Sequence, residues 1–198
     1  MRVVLATGNT GKLRELATHL QPLGFDLITL TERGVSTPPE TGETFADNAL
    51  LKARHAARHT HLPSLADDSG IEVDALGGRP GVFSARYAGD TATDADNVCK
   101  MLHELSDVPD GRRAARFRCV LAFVRSGDDP APILATGVWE GSILRAPRGS
   151  GGFGYDPIFV PRGSDRSVAE WSAEEKTASS HRARALQAFI ARLRQEGA

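Results

Sequence analysis

Two long apolar runs in the middle of the chain set the strongest limit on its fold. Arg116–Val124 and Ile133–Leu144 both have strand composition, and Ser126-Gly127-Asp128-Asp129-Pro130 between them is made of turn formers. They read as an antiparallel hairpin with a generous loop, which argues against a purely parallel sheet. Shorter strands are expected at Val3–Ala6, Asp26–Leu30, Pro63–Asp67 and Ile71–Val73, with an acidic turn, Asp67-Asp68-Ser69-Gly70, between the last two.

Helices interleave with these strands. Leu13, Leu16, Ala17 and Leu20 recur at helical spacing until Pro22 and Gly24 close the segment. Thr44 followed by Asp47 is an N-cap signature, and Phe45, Ala49, Lys52, Ala53 and Ala56 then share one helical face to about His59. Helices are also expected over Thr93–Leu105 and Arg182–Arg194. The result is an α/β protein with a mixed sheet. Its 198 residues suit one domain, or two lobes sharing a cleft, with a core that needs no disulfide.

Charge narrows the partners. With 24 basic against 25 acidic side chains the net charge is -1, so no nucleic-acid partner is expected. Cys99 and Cys119 are too few and too isolated for a disulfide framework or a zinc site. The apolar run at the N-terminus breaks at Gly8-Asn9, unlike a signal peptide, and no stretch has the length of a membrane span. A cytoplasmic location follows as the expectation, with no membrane partner.

Five clusters could carry chemistry. Thr7-Gly8-Asn9-Thr10-Gly11-Lys12 lies between a strand and a helix, where backbone amides, the helix dipole and a lysine can meet phosphate. It is no Walker A loop: its glycines enclose two residues and Leu13 follows the lysine. Asp67-Asp68 could offer one carboxylate to a given cleft, as magnesium ligand or water activator. Glu40 matters only if its proline-flanked loop folds back over Asp68. Gly149–Pro157 contains GxGxxG, but Pro157 prevents the helix that a dinucleotide fingerprint needs. It suits a loop presenting Phe153 to a base, with Asp156 as acceptor. Last come Lys176, His181 and Arg182 near the final helix, for a phosphate and a carbonyl.

In order along the chain, ATGNTGK, PPETGETFADNALLKA, ADDSG, GGRPGVFSARYAG, GGFGYDPIF, EEK and SHR resemble the inosine triphosphate pyrophosphatase family. The resemblance implies a single domain over 1–198 in two lobes, elongated, with a central mixed sheet flanked by helices and an active-site cleft between the lobes. It implies a homodimer that uses Mg2+ to cleave ITP, dITP or XTP, nucleoside triphosphates, to monophosphate and pyrophosphate. It assigns Glu40 and Asp68 to the metal, with Asp68 also the base, and Lys12 and Lys52 to catalysis. Substrate binding falls to Thr7, Gly8, Asn9, Thr10, Gly11, Lys12, Ser69, Phe153, Gly154, Tyr155, Asp156, Lys176, His181 and Arg182. Rival readings are a pyrophosphatase for modified pyrimidine or methylated nucleotides and a non-catalytic nucleotide sensor. Asp68 and Glu40 beside Lys12 speak against the sensor.

Overall fold

The computed structural model describes residues 1–196. Its strands are β1 (Arg2–Leu5), β2 (Asp26–Thr29), β3 (Ser64–Val73), β4 (Ala114–Val124), β5 (Ile133–Ile143) and β6 (Phe159–Pro161). They form one six-stranded sheet in the order β2-β1-β3-β4-β5-β6. β1 is parallel to β2, with Val4 opposite Ile28, and parallel to β3, with Leu5 opposite Leu65. β5 and β6 are antiparallel, Ser142 facing Val160. The sheet is mixed, as the patterning predicts.

The α-helices are α1 (Thr10–Leu20), α2 (Phe45–Thr60), α3 (Asp94–Glu104), α4 (Ala173–Ser179) and α5 (His181–Gln195). Local chemistry fixes their starts. The Asn9 side chain accepts the Lys12 N–H to begin α1, and full capping boxes, Thr44 with Asp47 and Thr93 with Asp96, begin α2 and α3. Each such cap is typically worth ~1 kcal/mol. Among the described residues no helix is long and apolar enough to cross a membrane.

The chain divides into two compact units. The first comprises Met1–Asp68, Cys119–Gly137 and the segment from Arg182 on; the second comprises Ser69–Arg118 and Val138–His181. Each has its own core. In the first, Leu5, Leu16, Leu65, Leu121 and Phe189 pack together; in the second, Ile71, Met101, Trp139, Ile158 and Phe159 do.

Three differences from the sequence expectation are instructive. The two strands expected at 63–67 and 71–73 are one ten-residue strand, β3, which runs straight through the supposed acidic turn. Its flanking residues Leu65, Ala66, Ile71 and Val73 are all buried, and the two aspartates inside it are matched by cations brought from elsewhere in the chain. β6 and α4, at three and seven residues, are too short to show a period and do not appear in the sequence reading.

Candidate functional site

The site begins on β3. Neighbouring side chains on a strand diverge, and Asp67 and Asp68 find different partners. In the first unit Asp67 is fully buried and sits between two cations: its Oδ1 is 2.5 Å from the Lys12 ammonium, and its Oδ2 accepts from Arg182 Nε at 3.0 Å. Arg182 also pairs with Glu15, one helical turn beyond Lys12 on α1. Burial opposes ionisation of Asp67, but Arg182, then Lys12 and Lys52, outweigh it and hold its carboxyl well below the usual range.

Asp68 has a different environment. Its Oδ1 accepts from the Lys52 ammonium at 2.7 Å, and the same ammonium donates to Glu40 at 2.6 Å. Two carboxylates therefore share one lysine. Burial pushes the Asp68 carboxyl up to about 6, with Lys52 pulling against it and Glu40 adding to the rise. Lys12 also acts on both Asp68 and Glu40 through space. Oδ2 of Asp68 is buried and has no hydrogen-bond partner among the described residues.

The local sequence explains how these groups arrive. Lys52 lies on the buried face of α2, beside Asn48, Ala49, Ala53 and Ala56, whose small side chains let the helix approach closely. Asn48 is itself a support: its Oδ1 accepts the Gly42 N–H at 2.8 Å and pins the loop that carries Glu40. A Cβ on Gly42 would lie only 2.6 Å from Asp47 Cβ, so that approach requires glycine. Burial in the interior of β3 fixes both aspartates.

Nearby, Gly8, Asn9 and Thr10 are exposed ahead of α1. Asn9 spends its side-chain oxygen on the Lys12 amide, and Thr7 accepts the Asn9 amide at 3.2 Å. What the loop offers is therefore three exposed positions, Gly8–Thr10, at the N-terminus of the helix that carries Lys12. Ser69 follows Asp68 in β3 and is half-buried.

The second unit contains the other cluster. Asp156 is buried and its Oδ2 accepts both the Phe153 amide, at 2.9 Å, and the Lys176 ammonium, at 2.6 Å. That ammonium lies 4.0 Å from the centre of the Phe153 ring, a cation–π contact. Phe153 and Gly154 are half-buried. Gly152 has φ +74°, and a Cβ there would collide with the Asp156 carboxylate.

Two expected ligands have other employment. Arg182 was expected to offer its guanidinium to a base carbonyl; instead it is 1% exposed and committed to Asp67 and Glu15. A buried guanidinium needs carboxylate partners, and these hold it in the interior. Tyr155 is a core residue whose hydroxyl donates to the Ser84 carbonyl at 2.8 Å. His181 is buried with its ring stacked on Phe117, 4.8 Å between centroids. Glu15 is not among the residues that the sequence singles out, and Asp67 enters there only as one of an acidic pair of which one carboxylate faces the cleft. A signal for Glu15 did exist: it stands three residues after Lys12 on the same helical face.

A divalent cation can be tested against the donor set. Among the described residues no three His, Cys, Asp or Glu side chains group as a self-sufficient cation site. Glu40 and Asp68, however, are paired carboxylates with one cation between them and an unpartnered buried oxygen. Magnesium binds through one or two protein carboxylates and completes its shell with water and substrate phosphates. The residues fit such an ion.

Against known proteins, the model of the Ham1 family matches residues 3–192. The chain belongs to the Ham1 family. A relative from Salmonella paratyphi A, named dITP/XTP pyrophosphatase, is 55% identical over 98% of both chains, and one of the same name from Escherichia coli K12 is 53% identical over 98% of both. Among solved structures, a HAM1 protein from Coxiella burnetii superposes with a TM-score of 0.91 at 48% identity, covering 98% of this chain and 99% of the other. Membership of the Ham1 family agrees with the resemblance drawn from the seven motifs, and the shared fold is the mixed α/β sheet described above.

Proposed function

We infer that this chain hydrolyses non-standard purine nucleoside triphosphates, dITP and XTP among them, to the monophosphate and pyrophosphate. The observation that carries the reading is full-length identity above 50% to proteins named for that activity. The geometry agrees with it: acidic and basic groups of the type phosphoanhydride chemistry requires are paired with Asp67 and Asp68 of β3.

The reaction adds water to the α-phosphorus and breaks its bond to the α–β bridging oxygen, so pyrophosphate leaves. Charge accumulates on phosphate oxygens during such a transfer, and catalysis is mostly positioning and electrostatics. In this reading Lys12, Lys52 and the loop Thr7–Gly11 hold the triphosphate. Asp68 takes a proton from the attacking water, a role suited to a carboxylate titrating near 6. Glu40 and Asp68 would hold Mg2+, which supplies positive charge to the phosphate oxygens. The base is assigned to the second unit's cluster: Phe153 stacks on it, and Asp156 and Lys176 set the ring's position. Ser69, Gly154 and His181 complete the substrate contacts. Arg182 and Tyr155 support rather than touch the nucleotide. The two units act as one nucleoside triphosphate pyrophosphatase domain, in a cytoplasmic homodimer that acts on free nucleotides and not on nucleic acid.

The test is a panel of dITP, XTP, ATP, GTP and modified pyrimidine triphosphates, scored for pyrophosphate with and without chelator. Pyrophosphate from dITP and XTP, abolished by chelator, is expected. Release of orthophosphate alone, or a preference for the pyrimidines, overturns the reading.

A further inference from the structure

The loop that carries Phe153 is built almost without side chains. Gly149, Gly151, Gly152 and Gly154 surround it, and glycines leave a chain more conformational freedom to lose than any other residue. Beside it, within the second unit, lies an open pocket of about 510 Å³ that Ala95, Val98, Cys99 and Leu102 of α3 also line. The loop is packed where a Cβ on Gly149 or Gly151 would press on the Ala169 backbone and is open toward α3, so on that side hydrogen bonds must fix it. At its start, the Gly151 N–H donates to the Ala169 carbonyl at 3.0 Å. Past Phe153, the Gly154 N–H donates to Asp94 Oδ2 at 2.7 Å. Asp94 is the first residue of α3, far away in the sequence. Gly154 itself has φ +62°, so this segment has a shape that its neighbours alone do not enforce.

The two bonds to carboxylates are complementary. Asp156 holds the Phe153 amide from one direction and Asp94 holds the next amide, that of Gly154. Two consecutive peptide N–H groups are thus each anchored by an ionisable acid. Charge-assisted bonds of this kind are roughly twice as strong as neutral ones. Asp156 is buried and is also paired with Lys176, whereas Asp94 is exposed and its bond spans from a different element.

We propose that Asp94 is a positioning residue for base recognition, fixing the Gly154 amide and with it the plane of the Phe153 ring. This rests on the reading that Phe153 stacks on the purine. Asp94 touches no reacting atom. Its contribution is to keep the ring in place beside the open pocket, so that stacking does not require the loop to be ordered at the moment of binding. Loss of that anchor weakens binding of the nucleotide and leaves the chemical step alone.

Steady-state kinetics with dITP test this on Asp94→Ala, Asp94→Asn, Phe153→Ala and the Asp94→Ala/Phe153→Ala double variant. Asp94→Ala is expected to raise KM about tenfold with kcat within about twofold, the scale of one lost charge-assisted hydrogen bond. Asp94→Asn keeps an acceptor oxygen and removes the charge from the start of α3; it is expected to raise KM only about threefold, since a neutral acceptor keeps roughly half of the bond. The double variant should match Phe153→Ala alone, because the carboxylate acts through the ring. A KM within twofold for Asp94→Ala beside a raised KM for Phe153→Ala overturns the proposal and leaves the stacking reading intact. Additive losses in the double variant, or an equal defect in Asp94→Asn, overturn it as well. An unchanged KM in Phe153→Ala removes the stacking reading and the proposal together.

Discussion

Asp67 and Asp68 are neighbours on one strand, yet their surroundings differ electrically. Around Asp67 the charges balance: Lys12 and Arg182 both bond to it, and Glu15 supplies the second negative charge there. Around Asp68 acids are in excess, since Lys52 must serve Glu40 as well. At Asp67 the cations outweigh burial and depress the carboxyl pKa; at Asp68 burial outweighs the one shared lysine and raises it, with Glu40 adding to the rise. A neutralised buried carboxylate serves as a structural joint, here connecting α1, β3 and α5. A carboxylate short of positive charge is one that can take a proton or a cation. The identity of the residue does not separate these roles. Its partners do.

This contrast can be attacked by mutation, beginning where the effect is largest. Asp67→Asn leaves Lys12 and Arg182 facing a neutral amide in a buried setting; breaking such a pair typically costs about 3–5 kcal/mol. Chemical denaturation should register a loss of that size, and a loss below about 1 kcal/mol would mean that Asp67 is no joint. Glu40→Gln should leave stability nearly unchanged and raise the Mg2+ concentration for half-maximal turnover by at least about tenfold, as expected for a weakened charge complement at the ion. An unaltered magnesium titration would separate Glu40 from the metal.

A smaller effect is a matter of sign. The folded pKa of Asp68, about 6, is raised above the ordinary aspartate value of 3.8. A raised carboxyl pKa favours the protonated fold, so ionised Asp68 destabilises the metal-free protein. That penalty is absent below about pH 4, grows through pH 6 and is fully present above it. Asp68→Asn should therefore stabilise metal-free protein at pH 8 by on the order of 1 kcal/mol and give almost no gain at pH 4. Thermal unfolding at the two pH values checks it; destabilisation at pH 8 would place Asp68 with Asp67 as a structural ion pair.

Much of this was legible in the residues. Lys52 stands among alanines on an apolar helical face, and a cation there has to meet an acid. The glycine-rich stretch before Pro157 could only be a loop, and the mixed sheet follows from the long central strands. The acidic pair was harder. Asp67-Asp68-Ser69-Gly70 has the composition of a turn, and only the distant cations make it strand. A guanidinium at Arg182, beyond the second unit's segments in sequence, is invisible to any local window that contains Asp67. The same limit hid Asp94: its bond to Gly154 joins the start of a helix to a loop with no pattern of its own.

In the proposed reaction Asp68, unlike Asp67, is the acid that does chemistry. That role is tested most directly by single-turnover hydrolysis of dITP by Asp68→Asn at saturating Mg2+, beside a nucleotide-binding measurement on the same sample. Retained binding with pyrophosphate formation slowed roughly 10²- to 10⁴-fold, the usual worth of a positioned base, is the expected result. Pyrophosphate formation within about threefold of the parent, a change too small for a lost general base, would contradict the assignment.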